Sequence, residues 1–339
     1  MAASGRPHIL PRPDTPGTIM LPAPLRQLLL PAVLILAAAP AAAADIGDGF
    51  ESGRIDPQVW APCPRAENRF FIEETVVRSG RYAVGMALLP DATMPPAIPK
   101  AEIARQRSGC LDTAPGAVFA PEDDQRAELW LQSTEPAGTE RWFGFSFRID
   151  SPDAVADGNR LVVGQWKQSG SQSPILAQRF KGGAFHLTVE QATASPGRQC
   201  RVLIAWQDGY DFSDFSAGTR SFLHGGGDEL DAPPPDRAAD CSRGLTIDRT
   251  APLPSPFGAW VDMVVHLRVA GRPDDLIAIW ADGRPIVTVR GPVGSPAGRD
   301  QYFKFGPYRD PSPVPLVVRF DDFSRGNSFA AVDPRRFDR

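Results

Sequence analysis

Apolar and polar residues alternate with a period of two along most of the chain after residue 45. The sharpest case is 141–149, in which one predicted face holds Phe143, Phe145, Phe147 and Ile149. Similar runs include 70–77, 82–89, 101–105, 127–131, 161–167, 184–190, 201–207, 260–269 and 316–323. Short strands at regular spacing, without long helical patterns, predict an all-β fold made of two packed sheets, a sandwich or jelly roll.

The connections between these runs carry their own signals. Runs 276–280 and 286–289 flank an Asp-Gly pair, which predicts a hairpin with a tight turn. Gly144 interrupts the best alternating run and offers a second reading there, a bulge that shifts the register. Segment 208–256 is long and rich in Asp, Gly, Pro and Ser, so we predict a partly ordered flap. The polar tail from Ser324 is predicted to trail over the surface.

The stretch 302–309, Tyr-Phe-Lys-Phe-Gly-Pro-Tyr-Arg, places apolar and polar groups on opposite faces of one strand. The apolar face consists of Phe303, Phe305 and Pro307. The other face presents an ammonium and two phenols, from Tyr302, Lys304 and Tyr308. Gly306 leaves a gap between the last two, where a ligand could approach the backbone. This layout suits a groove for an acidic ligand, and an ordinary solvent-facing strand is the alternative.

The start of the chain is predicted to be a leader segment that is removed on export, and the rest is predicted to form one domain. An apolar run, 28–40, follows Arg26 and ends in small residues, which is typical of a secretory signal peptide. We predict cleavage after Ala43 or Ala44, with Met20 as a second candidate start. Residues 1–44 are therefore an N-terminal extension and signal peptide, and 45–339 a single domain that is secreted or periplasmic. No later stretch is long and apolar enough to span a membrane.

Net charge and cysteine content indicate which binding partners are expected and whether the cysteines form disulfides. The formal net charge is -4, so nucleic acid is not an expected partner, and any attraction to an acidic ligand must be local. Four cysteines in an exported chain favour disulfides, and no spacing is typical of a zinc site. Three pairings are open, of which we favour the sequential one, Cys63–Cys110 and Cys200–Cys241.

Two other runs repeat the arrangement of polar groups over an apolar base. Arg126 and Glu128 share one predicted face, with apolar residues on the other. Gln165 and Lys167 likewise lie on the side opposite Trp166. If these strands are neighbours in a concave sheet, their polar groups converge with those of 302–309.

In this order, the motifs Arg-Ala-Glu-Leu, Gln-Trp-Lys and Tyr-Phe-Lys-Phe-Gly-Pro-Tyr-Arg resemble those of jelly-roll polysaccharide lyases. The nearest group is the heparin lyase I-like family, related to alginate and glucuronan lyases. The segment 100–103, Lys-Ala-Glu-Ile, is a rival for the Arg-Ala-Glu-Leu role. The resemblance implies a concanavalin A-like sandwich with a concave groove, and cleavage of a uronic-acid-containing glycan by β-elimination.

The resemblance also implies roles for five residues. Arg126 and Gln165 would bind the sugar carboxylate, and Tyr308 would act as the acid and also as the base. Lys304 would keep the region positive and favour the phenolate of Tyr308. This family usually has a His two residues after the Gln, but this chain has Lys167. That departure leaves the identity of the base open.

Further side chains are predicted to contact the glycan. These substrate-binding candidates are Tyr302, Glu128, His186 and Arg309. His186 faces outward from its strand and could replace the missing family His, whereas a plain surface His is the alternative. We expect a structural role for His266.

The remaining expectations concern cofactors, metal ions and alternative functions. No organic cofactor and no catalytic metal are expected, although Asp321-Asp322 and Asp228-Glu229 could supply ligands to a structural calcium ion. The pair Glu229 and Asp231 is not expected to form a glycosidase centre, because a Pro-rich loop would not hold two carboxylates rigidly. We expect a monomer with an acidic polysaccharide as substrate. The rival function is a non-catalytic carbohydrate-binding jelly-roll protein that has lost the catalytic His.

Overall fold

The structure is a computed structural model that describes residues 45–64, 68–88, 125–155, 160–169, 173–193, 199–209, 221–224, 243–310 and 312–338. All of these residues belong to one compact unit. Several predictions fall outside them, namely the leader 1–44, the strand 101–105, the rival motif 100–103, most of the flap, and Cys110, Cys241, Asp228, Glu229 and Asp231.

Within the described residues the chain forms eighteen strands: β1 Ile46–Asp48, β2 Trp60–Pro64, β3 Asn68–Glu73, β4 Ala83–Leu88, β5 Gln125–Leu131, β6 Glu135–Pro136, β7 Arg141–Ile149, β8 Leu161–Gln168, β9 Leu176–Lys181, β10 Ala184–Ala192, β11 Gln199–Trp206, β12 Ser221–His224, β13 Thr246–Arg249, β14 Val261–Arg268, β15 Leu276–Ala281, β16 Arg284–Arg290, β17 Asp300–Arg309 and β18 Leu316–Gly326. Short helical segments are Pro152–Val155, α1 at Phe329–Val332, and Pro334–Phe337. In this part of the chain no helix is long and apolar enough to cross a membrane.

The strands form two antiparallel sheets. The front sheet has the order β12-β11-β10-β9-β8-β17-β5-β2, with β6 beside β17. The back sheet has the order β13-β16-β15-β14-β7-β18-β4-β3, with β1 beside β18. Neighbours in both orders are often distant in sequence, as in a jelly roll. The predicted all-β fold of two packed sheets is confirmed.

Aromatic rings join the two sheets at the centre of the core. Phe305 of the front sheet stacks on Phe320 of the back sheet with ring centroids 4.0 Å apart. Phe303 lies parallel to Phe323 at 5.7 Å. All four rings are at most 1% exposed. Burial of such rings is the main favourable term in folding, and it fixes which face of β17 points inward.

Gly144 is not itself a bulge residue, because β7 keeps an unbroken register with β14; the register shift opposite it lies in β18, between Asp321 and Ser324. A Cβ at Gly144 would lie 1.7 Å from the carbonyl oxygen of Val332, so the glycine allows α1 to approach the sheet.

The prediction that the tail from Ser324 trails over the surface is wrong. β18 continues to Gly326, and α1 then packs Val332 against Val264 of the back sheet.

The predicted hairpin is confirmed, since β15 pairs with β16 and both turn residues, Asp282 and Gly283, have positive φ angles of 49° and 73°. Six strands have no counterpart among the predicted runs, namely β1, β2, β6, β9, β12 and β13. The last two lie within 208–256 and pair at the sheet edges, β12 on β11 and β13 on β16.

Candidate active site

Strand β17 places the predicted residues on one surface, which we call the outer face: the side of the front sheet turned away from the core. β17 lies between β8 and β5. Tyr308 pairs with Arg126 of β5, and Lys304 pairs with Gln165 of β8. Tyr302 pairs with Lys167. Cross-strand partners point to the same side of a sheet, so all five predicted catalytic residues share the outer face.

Gly306 does not open a gap for a ligand. Its φ is 130°, which is unfavourable for other residues, and a Cβ there would lie 2.0 Å from the carbonyl oxygen of Ala127. The same Cβ would lie 2.9 Å from Sδ of Met86. The glycine therefore serves the close approach of β5, and that expectation is corrected.

Glu128 lies at the centre of the outer face and is fully buried. Its Oε2 is 3.3 Å from Lys304 Nζ and 3.2 Å from Arg126 Nε, and its Oε1 accepts a hydrogen bond from Gln165 Nε2. A buried carboxylate needs such partners, because its desolvation is otherwise very unfavourable. Glu128 thus orients three of the predicted catalytic residues, and this arrangement does not support direct contact with the glycan.

The Tyr308 ring contacts two guanidinium groups. Arg126 Cζ lies 4.3 Å from the ring centroid, and Arg160 Cζ lies 4.6 Å from it. The two arginines come from the two sides of β17, since Arg126 is on β5 and Arg160 immediately precedes β8. Sequence reasoning missed Arg160. Its neighbour Leu161 pairs with Arg309, which brings Arg160 close to Tyr308. Only the register of β8 against β17 shows this proximity.

A second aromatic pair lies at the other end of the predicted residues. Trp130 and Tyr302 stack with centroids 5.8 Å apart, and Lys304 Nζ lies 4.6 Å from the Trp130 centroid. Trp130 was also missed, although the alternation of β5 assigns it to the face of Arg126 and Glu128. Stacked rings beside cationic groups suit the apolar face of a sugar and its carboxylate, respectively.

His186 lies on the outer face but far from Tyr308. Its strand, β10, is separated from β17 by β8 and β9, which corresponds to about 14 Å at ordinary strand spacing. Burial lowers the pKa of His186 to about 3, and its Nδ1 is 3.2 Å from the carbonyl oxygen of Ala184. It is therefore neutral and too distant to replace the missing family His.

Beside His186 lies a second ionic group. Glu190 is fully buried and accepts a hydrogen bond of 2.6 Å from Arg201 Nε. Arg179 Nη2 is 3.9 Å from the same oxygen, and its Nε donates to Thr188 Oγ1 at 2.9 Å. The outer face therefore carries paired charges well beyond the predicted centre.

Arg309 lies on the opposite side of β17 from Tyr308 and is 1% exposed. Its Nε donates to Gln125 Oε1 at 2.7 Å, and its Nη2 donates to the carbonyl oxygens of Ser312, at 3.2 Å, and Val314. The guanidinium fixes the chain that leaves β17. The structure thus does not support the predicted contact with substrate.

His266 is on the back sheet, away from the candidate site. Its ring stacks on Trp142 with centroids 4.0 Å apart and an interplanar angle of 4°. Its Nε2 is 2.7 Å from Glu140 Oε1. These contacts agree with the structural role expected for this residue.

The predicted calcium ligands Asp321 and Asp322 also lie on the back sheet. Burial, with the neighbouring charge of Asp322, raises the pKa of Asp321 to about 8, and burial raises that of Asp322 to about 6. Their oxygens accept hydrogen bonds from the backbone N–H of Arg78 and from Ser79 Oγ. In the described parts of the chain, no group of three or more His, Cys, Asp or Glu could hold a metal ion.

Cys63 and Cys200 are both buried, and neither is a free thiol. They lie on β2, at one edge of the front sheet, and on β11, one strand in from the other edge. Six strand spacings of about 4.8 Å separate those strands, whereas a disulfide requires Cα atoms within about 7 Å. A Cys63–Cys200 bond is therefore excluded. The choice between the other two pairings stays a prediction, because Cys110 and Cys241 lie outside the described residues.

The fold and this face together define an all-β sandwich with a cationic, phenol-bearing surface. A family model described as polysaccharide lyase matches residues 48–324. The match covers most of the chain, which therefore belongs to the polysaccharide lyase family. The finer resemblance to heparin lyase I stays a prediction.

Solved structures align with this chain at low sequence identity, and the first of those named here shows the same fold. An endo-β-1,4-glucuronan lyase from the fungus Trichoderma reesei aligns with a TM-score of 0.53 and 13% identity, over 86% of this chain and 99% of that chain. The cellulose induced protein Cip1 aligns with a TM-score of 0.46 and 14% identity, over 84% and 98% of the two chains. Alginate lyase A1-II′, a member of polysaccharide lyase family 7, aligns at 0.42 and 11%, over 84% and 100%. No curated protein sequence matches this chain significantly.

Proposed function

We propose that this lyase cleaves a uronic-acid-containing glycan by β-elimination on the outer face of the front sheet. One observation carries the proposal: the phenol of Tyr308 lies against Arg126, which shares the carboxylate of Glu128 with Lys304. Membership of the polysaccharide lyase family supports the reaction class.

The reaction needs three kinds of group. Donors must neutralise the sugar carboxylate, because the proton on the adjacent C5 is otherwise too weakly acidic to remove. A base takes that proton, and the released electron pair forms the C4–C5 double bond. The C4–O glycosidic bond then breaks as an acid protonates the departing oxygen.

Arg126 and Gln165 are the proposed carboxylate donors. The amide of Gln165 has two N–H groups, and only one is needed for its bond to Glu128. Lys304 is buried beside Glu128 and keeps the local charge positive. Glu128 thus fixes the donors in place before the substrate arrives, as preorganised electrostatic catalysis requires.

Tyr308 is the proposed acid, and its phenolate is the first candidate for the base. Lys167 is the second candidate, since it lies on the same face two residues after Gln165. The partly exposed ring of Tyr302, which packs on the buried Trp130, is the proposed stacking site for a neighbouring sugar.

For the substrate we propose a glucuronan- or alginate-like polyuronate. The glucuronan lyase that shares this fold supports the first choice. The net charge of -4 argues against a heavily sulfated chain, because only local cations attract the polymer.

The test is a screen on glucuronan, alginate, heparin and heparan sulfate, in which the absorbance of the unsaturated product is followed. Tyr308→Phe removes one hydroxyl, so turnover should fall by about 10²- to 10⁴-fold while the fold is kept. Tyr302→Phe is the matched control, with the same chemical change on the same strand and face, and it should retain most of the activity. Full activity of Tyr308→Phe would place the acid elsewhere.

A non-catalytic carbohydrate-binding protein is the second candidate. The observation that favours it is Lys167, which stands where the related lyases have a His. In that case the protein would bind one of the four polymers tightly, and none of them would give a rise in absorbance.

We further propose that the chain is exported after cleavage near Ala43 or Ala44, with the pairs Cys63–Cys110 and Cys200–Cys241. N-terminal sequencing of the mature protein tests the cleavage. Peptide mapping without reduction tests the pairing, and a Cys63–Cys241 peptide would contradict it.

A further inference from the structure

Arg160 lies beside Tyr308 without belonging to any of the predicted motifs. Its Cζ is 4.6 Å from the ring centroid, and its Nη1 is 3.5 Å from the phenolic oxygen. An arginine over an aromatic ring is attracted to the ring face and restricts its rotation. Arg160 therefore contacts both the ring and the reactive atom of the proposed acid.

Asp310 holds Arg160 in this position. Arg160 Nε is 3.0 Å and Nη2 is 2.9 Å from Asp310 Oδ1, and the Arg160 backbone N–H donates to Asp310 Oδ2 at 2.9 Å. The Asp310 N–H donates in return to the carbonyl oxygen of Arg160 at 3.1 Å. Side chain and backbone thus join the start of β8 to the end of β17, so the guanidinium has little freedom to leave the ring.

Stability of the fold does not account for this ion pair. The side chains of Arg160 and Asp310 are 33% and 40% exposed, and ion pairs this open to water add little to stability. Arg160 is also more exposed than Arg126, whose side chain is 11% exposed. It is the cation beside Tyr308 that a polymer in solution meets first.

We propose that Arg160 is a positioning residue for Tyr308, which fixes the ring together with Arg126 and stabilises the phenolate formed during the reaction. The inference rests on the proposed function. When the O–H bond of Tyr308 breaks and its proton moves to the glycosidic oxygen, negative charge remains on Oη, close to Arg160 Nη1. A fixed cation at that atom stabilises the charge as it develops.

Several other charged groups surround the same phenol. Those on the outer face of the neighbouring strands are Arg126, Glu128, Lys167, Arg179 and Lys304, and Asp310 follows the end of β17 beside Arg160. Arg160 differs from most of them because it contacts the ring directly. Its removal should therefore have a larger effect than removal of a more distant cation.

The experiment is a pH titration of the full-length protein labelled with ¹³C at Cζ of tyrosine, followed by NMR. The chain has four tyrosines, so Tyr308→Phe assigns the Tyr308 signal by its loss. In Arg160→Gln the Tyr308 midpoint should rise by about 1 pH unit, because a neighbouring cation is lost. Arg160→Lys keeps the charge and should recover part of the shift. Asp310→Asn, which loosens Arg160, should give a smaller rise.

The matched control is Arg268→Gln on the back sheet. Arg268 is 40% exposed, close to the 33% of Arg160, and it also pairs with an Asp, Asp274. This variant should leave the Tyr308 midpoint unchanged. A purely structural Arg160 would not move the midpoint in any folded variant, and that result would overturn the inference.

Steady-state kinetics of the same variants are a second test of the inference. In Arg160→Gln, kcat should fall about tenfold at neutral pH and its pH profile should move to higher pH, with little change in KM. A raised KM with unchanged kcat and an unchanged midpoint would make Arg160 a substrate contact and would overturn the proposal. The titration needs no substrate, so it decides the inference even if every polymer is left uncleaved.

Discussion

The outward surfaces of the two sheets both carry buried charges, but with opposite balances. On the front sheet, Glu128 is shared by Lys304 and Arg126. On the back sheet, Asp321 and Asp322 lie together near Arg78, and the pKa values of both carboxyls are raised by burial. The cations of the first cluster attract an acidic polymer, whereas the raised pKa keeps Asp321 protonated at neutral pH and the second cluster offers no comparable site.

Aromatic residues differ between the two surfaces in the same way. Trp142 and Trp280 on the back sheet are covered by Phe329 of the C-terminal helix, with ring centroids 6.1 Å and 5.3 Å from it. On the front sheet, Tyr302 and Tyr308 are buried to a similar degree as the two tryptophans, but their rings contact Trp130 and two arginines instead of a covering helix. The comparison teaches that aromatic residues serve helix packing on one surface and contact cations on the other.

The strongest way to break this comparison is Glu128→Gln. The change leaves Lys304 buried without its carboxylate, so the free energy of unfolding should fall by about 3–5 kcal/mol. Chemical denaturation measures the effect. Glu140→Gln on the back sheet is the control, since Glu140 is 57% exposed and should contribute less than about 1 kcal/mol.

A double variant sharpens that test. Glu128→Gln combined with Lys304→Met removes both charges, so it should be more stable than Glu128→Gln alone. Equal stability of the two variants would show that the buried ammonium was not the source of the loss.

The second prediction concerns the pH dependence of the back sheet. The pKa of Asp321 is about 8 in the fold and about 3.9 in an unfolded chain, so the folded state holds its proton between these values. Stability from this group is therefore present below about pH 4 and is lost as the pH rises through about 8. The slope is at most about 1.4 kcal/mol per pH unit.

Urea denaturation between pH 4 and pH 8 measures this slope. Wild type should lose stability as the pH rises, and Asp321→Asn should lose less because the titrating group is gone. The raised pKa of Asp322, about 6, also makes the fold less stable as the pH rises to that value. This smaller part of the slope should therefore remain in Asp321→Asn. Parallel slopes for the two proteins would contradict the assignment to Asp321.

The smallest effect is expected at His186. Because it is neutral and about three strand spacings from Tyr308, His186→Gln should leave turnover unchanged. Lys167→Gln changes a nearer residue of the same face and should lower kcat. A marked loss in His186→Gln would return this residue to the list of candidate bases.

Local alternation was enough to predict much of β17 and β5. It assigned Phe303 and Phe305 to the core and Lys304 and Tyr302 to the other face, because one buried face requires a period of two. It failed at β9, where Gln178 occupies a buried position between Leu176 and Phe180 and hides the pattern. The reason for Gly144 was invisible in the sequence, because the glycine faces outward and makes room for a helix from the end of the chain.

Sequence alone determined the two-sheet class and the faces on which Arg126, Gln165, Lys304 and Tyr308 lie, because pleating acts over neighbouring residues. Only the tertiary structure decided which strands became neighbours. That order joined Glu128 to Lys304 and Gln165, placed Arg160 on Tyr308, and kept His186 away from both. Contacts between distant segments depend on strand order and register, which no local pattern encodes.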